Sequence, residues 1–166
     1  MEGKTPAESA INDHTYRIFP NDLNSQGTAF GGLIMAILDR IAHVVAERHS
    51  EKICVTACVD GFKFLAPAKH GQNLIFKASI NRAWTTSMEI GVKVIAEQRG
   101  GKEKKHIVSA YFVFVALDDT GQPIEVPPVI PKSPIEKRRF DEARIRRENR
   151  IAAEKAKKER RIKEEF

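Results

Sequence analysis

The chain has 166 residues, 42% of them hydrophobic, and a formal net charge of +6. That length suits one domain with a real core, and no apolar run approaches the roughly 18 residues of a membrane-spanning helix. The charge does not describe a nucleic-acid-binding body: 13 of the 28 Lys and Arg but only 8 of the 22 Asp and Glu lie in residues 135–166, which leaves the remainder nearly neutral.

Residues 1–11 read as a flexible arm. They carry Glu2 and Glu8 and no apolar stretch, so a signal peptide is not expected and a cytoplasmic location is. His14 to Phe19 alternates enough for a short first strand. Pro20 to Thr28 is a loop rich in Asn, Asp, Ser and Gly. A helix follows over roughly Phe30 to Arg48, with Leu33, Ile34, Ile37, Leu38, Ile41, Val44 and Val45 forming a wide apolar face. Thr28 is placed to act as its N-cap.

After Glu51 the period shortens. Lys52 to Leu65, Asn73 to Trp84, Ser87 to Gln98 and Lys104 to Leu117 read as four strands, separated by turns at His70-Gly71, at Gly100-Gly101 and from Asp118 to Gly121. No helix intervenes between these strands, so the sheet is expected to be antiparallel. One buried helix covers its apolar face, which gives an α+β domain. Pro123 to Pro134 holds five prolines and is expected to be extended. Residues 135–166 read as a charged helical tail, as a solvated helix or a binding element. The boundaries are thus 1–11 for the arm, 12–122 for the domain, 123–134 for a Pro-rich linker and 135–166 for the tail.

Cys54 and Cys58 are four apart in an apolar stretch and read as buried thiols. They lack the second pair or histidine cluster of a metal site, and His14, His49, His70 and His106 have no ligand spacing, so no metal is expected. No serine sits in a nucleophile elbow, and Gly71 and Gly91 belong to no phosphate-binding loop.

Chemistry concentrates between Asn24 and Asp39. A polar loop runs into a helix whose first turn holds Gly31 and Gly32. At a helix N-terminus glycine bares N–H groups without intrahelical partners, and these, with the helix dipole, can hold a developing oxyanion. Asp39 is an acid inside an apolar run, so it is paired, exposed or functional. His43, one turn on, is a candidate partner. Gly31 and Asp39 are separated by about 12 Å along the axis at 1.5 Å per residue. They cannot serve one carbonyl in one chain, but a two-fold dimer would bring the glycine of one protomer to the aspartate of the other.

The spacing of Asn24, Gly27, Phe30, Gly31, Gly32, Met35 and Asp39 resembles the signature of the acyl-CoA thioester hydrolases of the hotdog fold. The segments Val55 to Pro67, Trp84 to Ile90, Val126 to Pro131 and Glu136 to Phe140 extend the likeness over roughly residues 12 to 147. The resemblance implies an antiparallel sheet wrapped around one long central helix. It implies hydrolysis of acyl-CoA, medium- to long-chain or broad in range, to fatty acid and CoA, with no cofactor beyond the CoA of the substrate. It assigns the catalytic carboxylate to Asp39, a catalytic asparagine acting across the dimer to Asn24, and the oxyanion donor to the Gly31 N–H. Gly32 and Phe30 lie beside that donor. It makes the Thr86-Ser87 turn, by pattern a plain turn, a contact for the CoA moiety. The partners implied are acyl-CoA and a second copy of the chain, in a homodimer built further into a trimer of dimers. Phe30 stands where many relatives have histidine, and His43 where a small residue is common.

Two other functions compete. A hotdog hydratase or dehydratase pairs histidine with aspartate, but Asp39 and His43 are one residue too close for that spacing. A tail that binds nucleic acid or an acidic partner is poorly served by interleaved acids and a lack of aromatics.

Overall fold

Alternation builds the sheet. On one strand Met88, Ile90, Val92, Val94 and Ala96 are buried in step, whereas Lys93 between them is exposed. The computed structural model describes residues 1–164, and the last two residues of the expected tail, 165 and 166, lie outside the described residues. In chain order it contains β1 (Ile11–Arg17), α1 (Gly31–Ser50), β2 (Ile53–Phe64), β3 (Asn73–Ala83), β4 (Ser87–Glu97), β5 (Lys104–Leu117) and α2 (Pro134–Glu164). Short 3-10 helices precede β1 and follow it, at Pro6–Glu8 and Pro20–Asp22.

The five strands form one antiparallel sheet in the order β1-β3-β4-β5-β2, and α1 packs on β2, β3, β4 and β5. This is the α+β arrangement of one long helix and an antiparallel sheet. The core lies between them: Ile34, Leu38, Ile41, Ala42, Val45 and Ala46 of α1 meet Phe76, Ile90, Phe112 and Phe114 of the sheet, all buried. The buried stripe is narrower than the apolar pattern of the helix suggests, because Met35 and Val44, on opposite edges of it, remain exposed.

β2 is an edge strand with two register shifts, at Thr56/Cys58 and Asp60/Lys63, the second containing Gly61 at φ 57°. Ile53, Val55, Val59 and Phe64 of this strand are exposed. The first shift also separates the two thiols. Cys54 is buried beside the Ser50 hydroxyl at 3.3 Å, and burial pushes its thiol above the ordinary range. Cys58, expected to be buried with it, is only partly so.

Two local expectations are corrected. Phe30, not Thr28, is the N-cap of α1, and it caps through backbone alone. Thr28 is instead drawn into a bridge with Lys69. Residues 1–11 do not form a loose arm: Lys4 bridges Val129, and Pro6 and Ser9 are buried. The Pro-rich stretch is likewise held as far as Ile130, through Val126 N–H to Thr85 O at 3.0 Å and Ile130 N–H to Lys4 O at 2.9 Å. Residues 1–130 make one compact unit and the chain from Pro131 onward a second. In the second unit α2 opens on a capping box, with Glu136 accepting from the N–H groups of Lys132 and Ser133, both at 2.8 Å, and Ser133 Oγ accepting from Glu136 N–H at 3.2 Å. Arg138–Glu142 and Arg144–Glu148 pairs run along its surface.

Candidate active site

The loop before α1 is tied down before the helix begins. Ala29 N–H donates to Ala68 O at 2.8 Å and Phe30 N–H to Asp22 O at 2.7 Å. Asn24 organises the rest. Its Oδ1 accepts from the N–H of Gln26 at 2.9 Å and of Thr28 at 3.2 Å, while its Nδ2 donates to Thr28 Oγ1 at 3.0 Å. The side chain is thereby fixed, with one amide hydrogen left to donate.

At the helix start, Leu33 and Ile34 N–H both turn to the Phe30 carbonyl, at 3.1 and 3.4 Å. The N–H groups of Gly31 and Gly32 come earlier in the turn and have no acceptor among the described residues. A side chain at either glycine would press on a neighbouring phenyl ring. A Cβ at Gly31 would lie 2.9 Å from Phe64 Cζ, and one at Gly32 would lie 2.5 Å from Phe30 Cε1. Two half-exposed phenyl rings therefore flank two free N–H donors. Beside them opens a cavity of about 470 Å³, lined by Asn24, Thr28, Gly31, Ile34, Phe64 and Leu65 among others.

Asp39 does not line that cavity. It sits two turns along α1, half-buried, where Thr56 Oγ1 of β2 donates to its Oδ1 at 2.8 Å. His43, the partner proposed from spacing, points elsewhere: its Nε2 meets Glu47 Oε1 at 3.0 Å and its ring stands edge-on to Phe114. Sheet register brings the Thr86-Ser87 turn to the level of Asp39. Thr56 pairs with Phe114 and Phe114 with Met88, so the turn before Met88 lies about 10 Å away, two strand spacings. Its backbone is engaged, Thr86 O by Ala116 N–H at 3.0 Å and Ser87 O by Trp84 N–H at 2.8 Å; both side chains are half-buried.

The sequence-predicted residues thus fall into two groups on one chain. Asn24, Phe30, Gly31 and Gly32 gather at the N-terminus of α1. Asp39 lies farther along, joined by Thr56 and level with Thr86 and Ser87. Thr56 and Phe64 were not singled out from sequence, since a lone threonine or phenylalanine in a strand carries no signal of its own. Among the described residues no three His, Cys, Asp or Glu side chains cluster, and no helix is long and apolar enough to cross a membrane.

Residues 26–102 match the family model of the thioesterase superfamily. The chain is 38% identical over 119 residues to YkhA of Bacillus subtilis (strain 168), described as an uncharacterized acyl-CoA thioester hydrolase, covering 72% of this chain and 69% of that protein. It superposes on a hexameric acyl-CoA thioesterase with a TM-score of 0.89 at 31% identity, covering 92% of this chain and 97% of the other. On an acyl-CoA hydrolase from Staphylococcus aureus, solved with butyryl coenzyme A and coenzyme A, the TM-score is 0.87 at 36% identity, with 94% of each chain covered. Structures of that enzyme with an aspartate, a threonine or an asparagine singly replaced by alanine are similar, with TM-scores of 0.89, 0.85 and 0.89.

Proposed function

The chain belongs to the thioesterase superfamily, and on that premise we propose that it hydrolyses acyl-CoA thioesters, medium- to long-chain or broad in range, to the carboxylic acid and free CoA. The observation that carries this reading is the bond from Thr56 to Asp39, which holds one carboxylate on a helix whose first turn bares two N–H groups beside an apolar cavity. The aspartate, threonine and asparagine replaced in the S. aureus hydrolase have the same spacing along that chain as Asn24, Asp39 and Thr56 have here.

Asp39 acts on the thioester carbonyl, as general base on water or as nucleophile through an anhydride. With a water nucleophile, the carboxylate takes the proton as oxygen bonds to the carbonyl carbon. The carbonyl electrons collect on oxygen, where the Gly31 N–H stabilises them; one such donor contributes about 3 kcal/mol. The C–S bond then breaks, and the CoA sulfur leaves with the proton. Asn24 donates its remaining amide hydrogen to the water or to the thioester. Gly32 and Phe30 shape the same turn, and Thr86 and Ser87 contact the CoA moiety. No group beyond the substrate's own CoA enters these steps.

The catalytic unit is a homodimer, and the Asn24–Gly31 group of one protomer faces the Asp39–Thr56 group of the other. The exposed apolar edge of β2 and the exposed Met35 and Val44 of α1 are the surfaces that suit such pairing. Assembly of three such dimers follows the hexameric structural relatives. The test is release of free thiol from acyl-CoAs of graded length, with Asp39→Ala in parallel. Wild-type turnover lost in Asp39→Ala is the expected result; turnover retained by the variant refutes the assignment.

A further inference from the structure

We propose that Phe64 selects the acyl group by its shape next to the reacting carbonyl, admitting linear chains and rejecting those branched at the adjacent carbon. The proposal rests on the hydrolase reading above and names a specificity-determining residue within it.

Phe64 ends β2, after two register shifts have re-aimed the strand. Its ring meets Gly31 tip first: a Cβ on that glycine would lie 2.9 Å from Cζ and 3.5 Å from both Cε1 and Cε2. The Gly31 N–H is the candidate oxyanion donor, and Phe64 and Gly31 line the same cavity. A carbonyl oxygen accepting from that N–H at about 2.9 Å places the first carbon of the acyl chain within van der Waals reach of the ring tip. A methylene chain can turn past a ring edge into the space lined by Ile34, Leu65 and Ala66. A second substituent on that first carbon meets the ring.

The ring is also held like a wall. It is 53% exposed, yet tilted at 49° against Phe62 with centroids 5.1 Å apart. A large apolar side chain left half in the open, braced from one side and touching the helix start with its tip, has little to do for the core of its own protomer.

The experiment compares kcat/KM for butyryl-CoA and 2-methylpropanoyl-CoA, which have equal carbon counts, in wild type, Phe64→Leu and Phe64→Ala. A single misplaced methyl group against a packed wall changes kcat/KM by about tenfold or more. The wild type should therefore prefer the linear substrate by about that factor, Phe64→Ala should bring the ratio to about unity, and Phe64→Leu should fall between. Phe64→Leu keeps an apolar group on the strand and carries the test if the alanine variant does not fold. A structural role alone lowers both rates together and leaves the ratio where it was. An unchanged ratio in the folded variants, or a wild type indifferent to branching, overturns the proposal while leaving the hydrolase reading intact. A wild type that cleaves neither these nor longer acyl-CoAs removes both.

Discussion

The Thr56 hydroxyl donates to Asp39 Oδ1 at 2.8 Å, so the edge strand fixes the rotamer of the only acid within the apolar stretch of α1. That bond leaves the second carboxylate oxygen for the reactant that the proposed mechanism brings to it. His43 takes no part in it, since its Nε2 is held by Glu47 at 3.0 Å. Asp39→Ala is expected to lower kcat by a factor on the order of 10² to 10⁴, the range for loss of a general base. Thr56→Val keeps the shape and removes the donor to a charged acceptor, a loss of about tenfold in kcat at a half-exposed site. Thr56→Ser should restore most of it. His43→Gln should leave the pH dependence of kcat where it is. Steady-state thiol release decides all four, and wild-type kcat in Thr56→Val would end the orienting role.

The two groups of residues on one chain make a prediction about mixtures. Asn24→Ala and Asp39→Ala should each be nearly inactive alone. In a dimer of one of each, one site carries both lesions and the other carries none. Random reassociation after mixing should return roughly a quarter of wild-type activity. A mixture no better than its components would mean that each chain completes its own site.

His49 makes stability depend on pH. It is fully buried, with Nε2 2.8 Å from the Pro127 carbonyl, and burial holds the imidazole below its ordinary range. The unfolded chain takes up a proton there that the folded chain refuses. Stability is therefore intact above about pH 6.5 and declines as the pH falls below it. Between pH 7.5 and 5.5 the melting temperature should drop, by about 2–4 °C for each kcal/mol in a chain of this size. In His49→Gln, which cannot titrate, the drop should be smaller. Equal drops in the two proteins would remove His49 as the cause.

Gly91 answers to packing. Asn81 Nδ2 donates to the buried Glu89 at 2.9 Å, and a Cβ on Gly91 would stand 2.7 Å from that same Nδ2. Gly91→Ala should shift the midpoint of urea unfolding by the equivalent of about 1–3 kcal/mol, the usual penalty for overpacking. Its kcat per folded molecule should stay unchanged. An unshifted midpoint would mean that the amide moves aside freely.

The sequence alone determined the elements, because their signals are local. Alternation with glycine turns placed β3, β4 and β5 to within a residue, and the apolar stripe placed α1. It also led to the expectation of two half-sites, since Gly31 and Asp39 are too far apart along one helix to meet. It could not choose a partner for His43, which stands four residues from both Asp39 and Glu47, so helical spacing serves either pair equally. The tertiary structure decided: Phe114 packs edge-on against the imidazole, which meets Glu47, and Asp39 is bonded by Thr56, seventeen residues away. The approach of Phe64 to Gly31 is a contact of the same kind, set by strand register and two bulges rather than by neighbours in the chain. Periodicity records which face a residue presents. Which side chain it meets there depends on long-range pairing, and that is defined only when the sheet has closed on the helix.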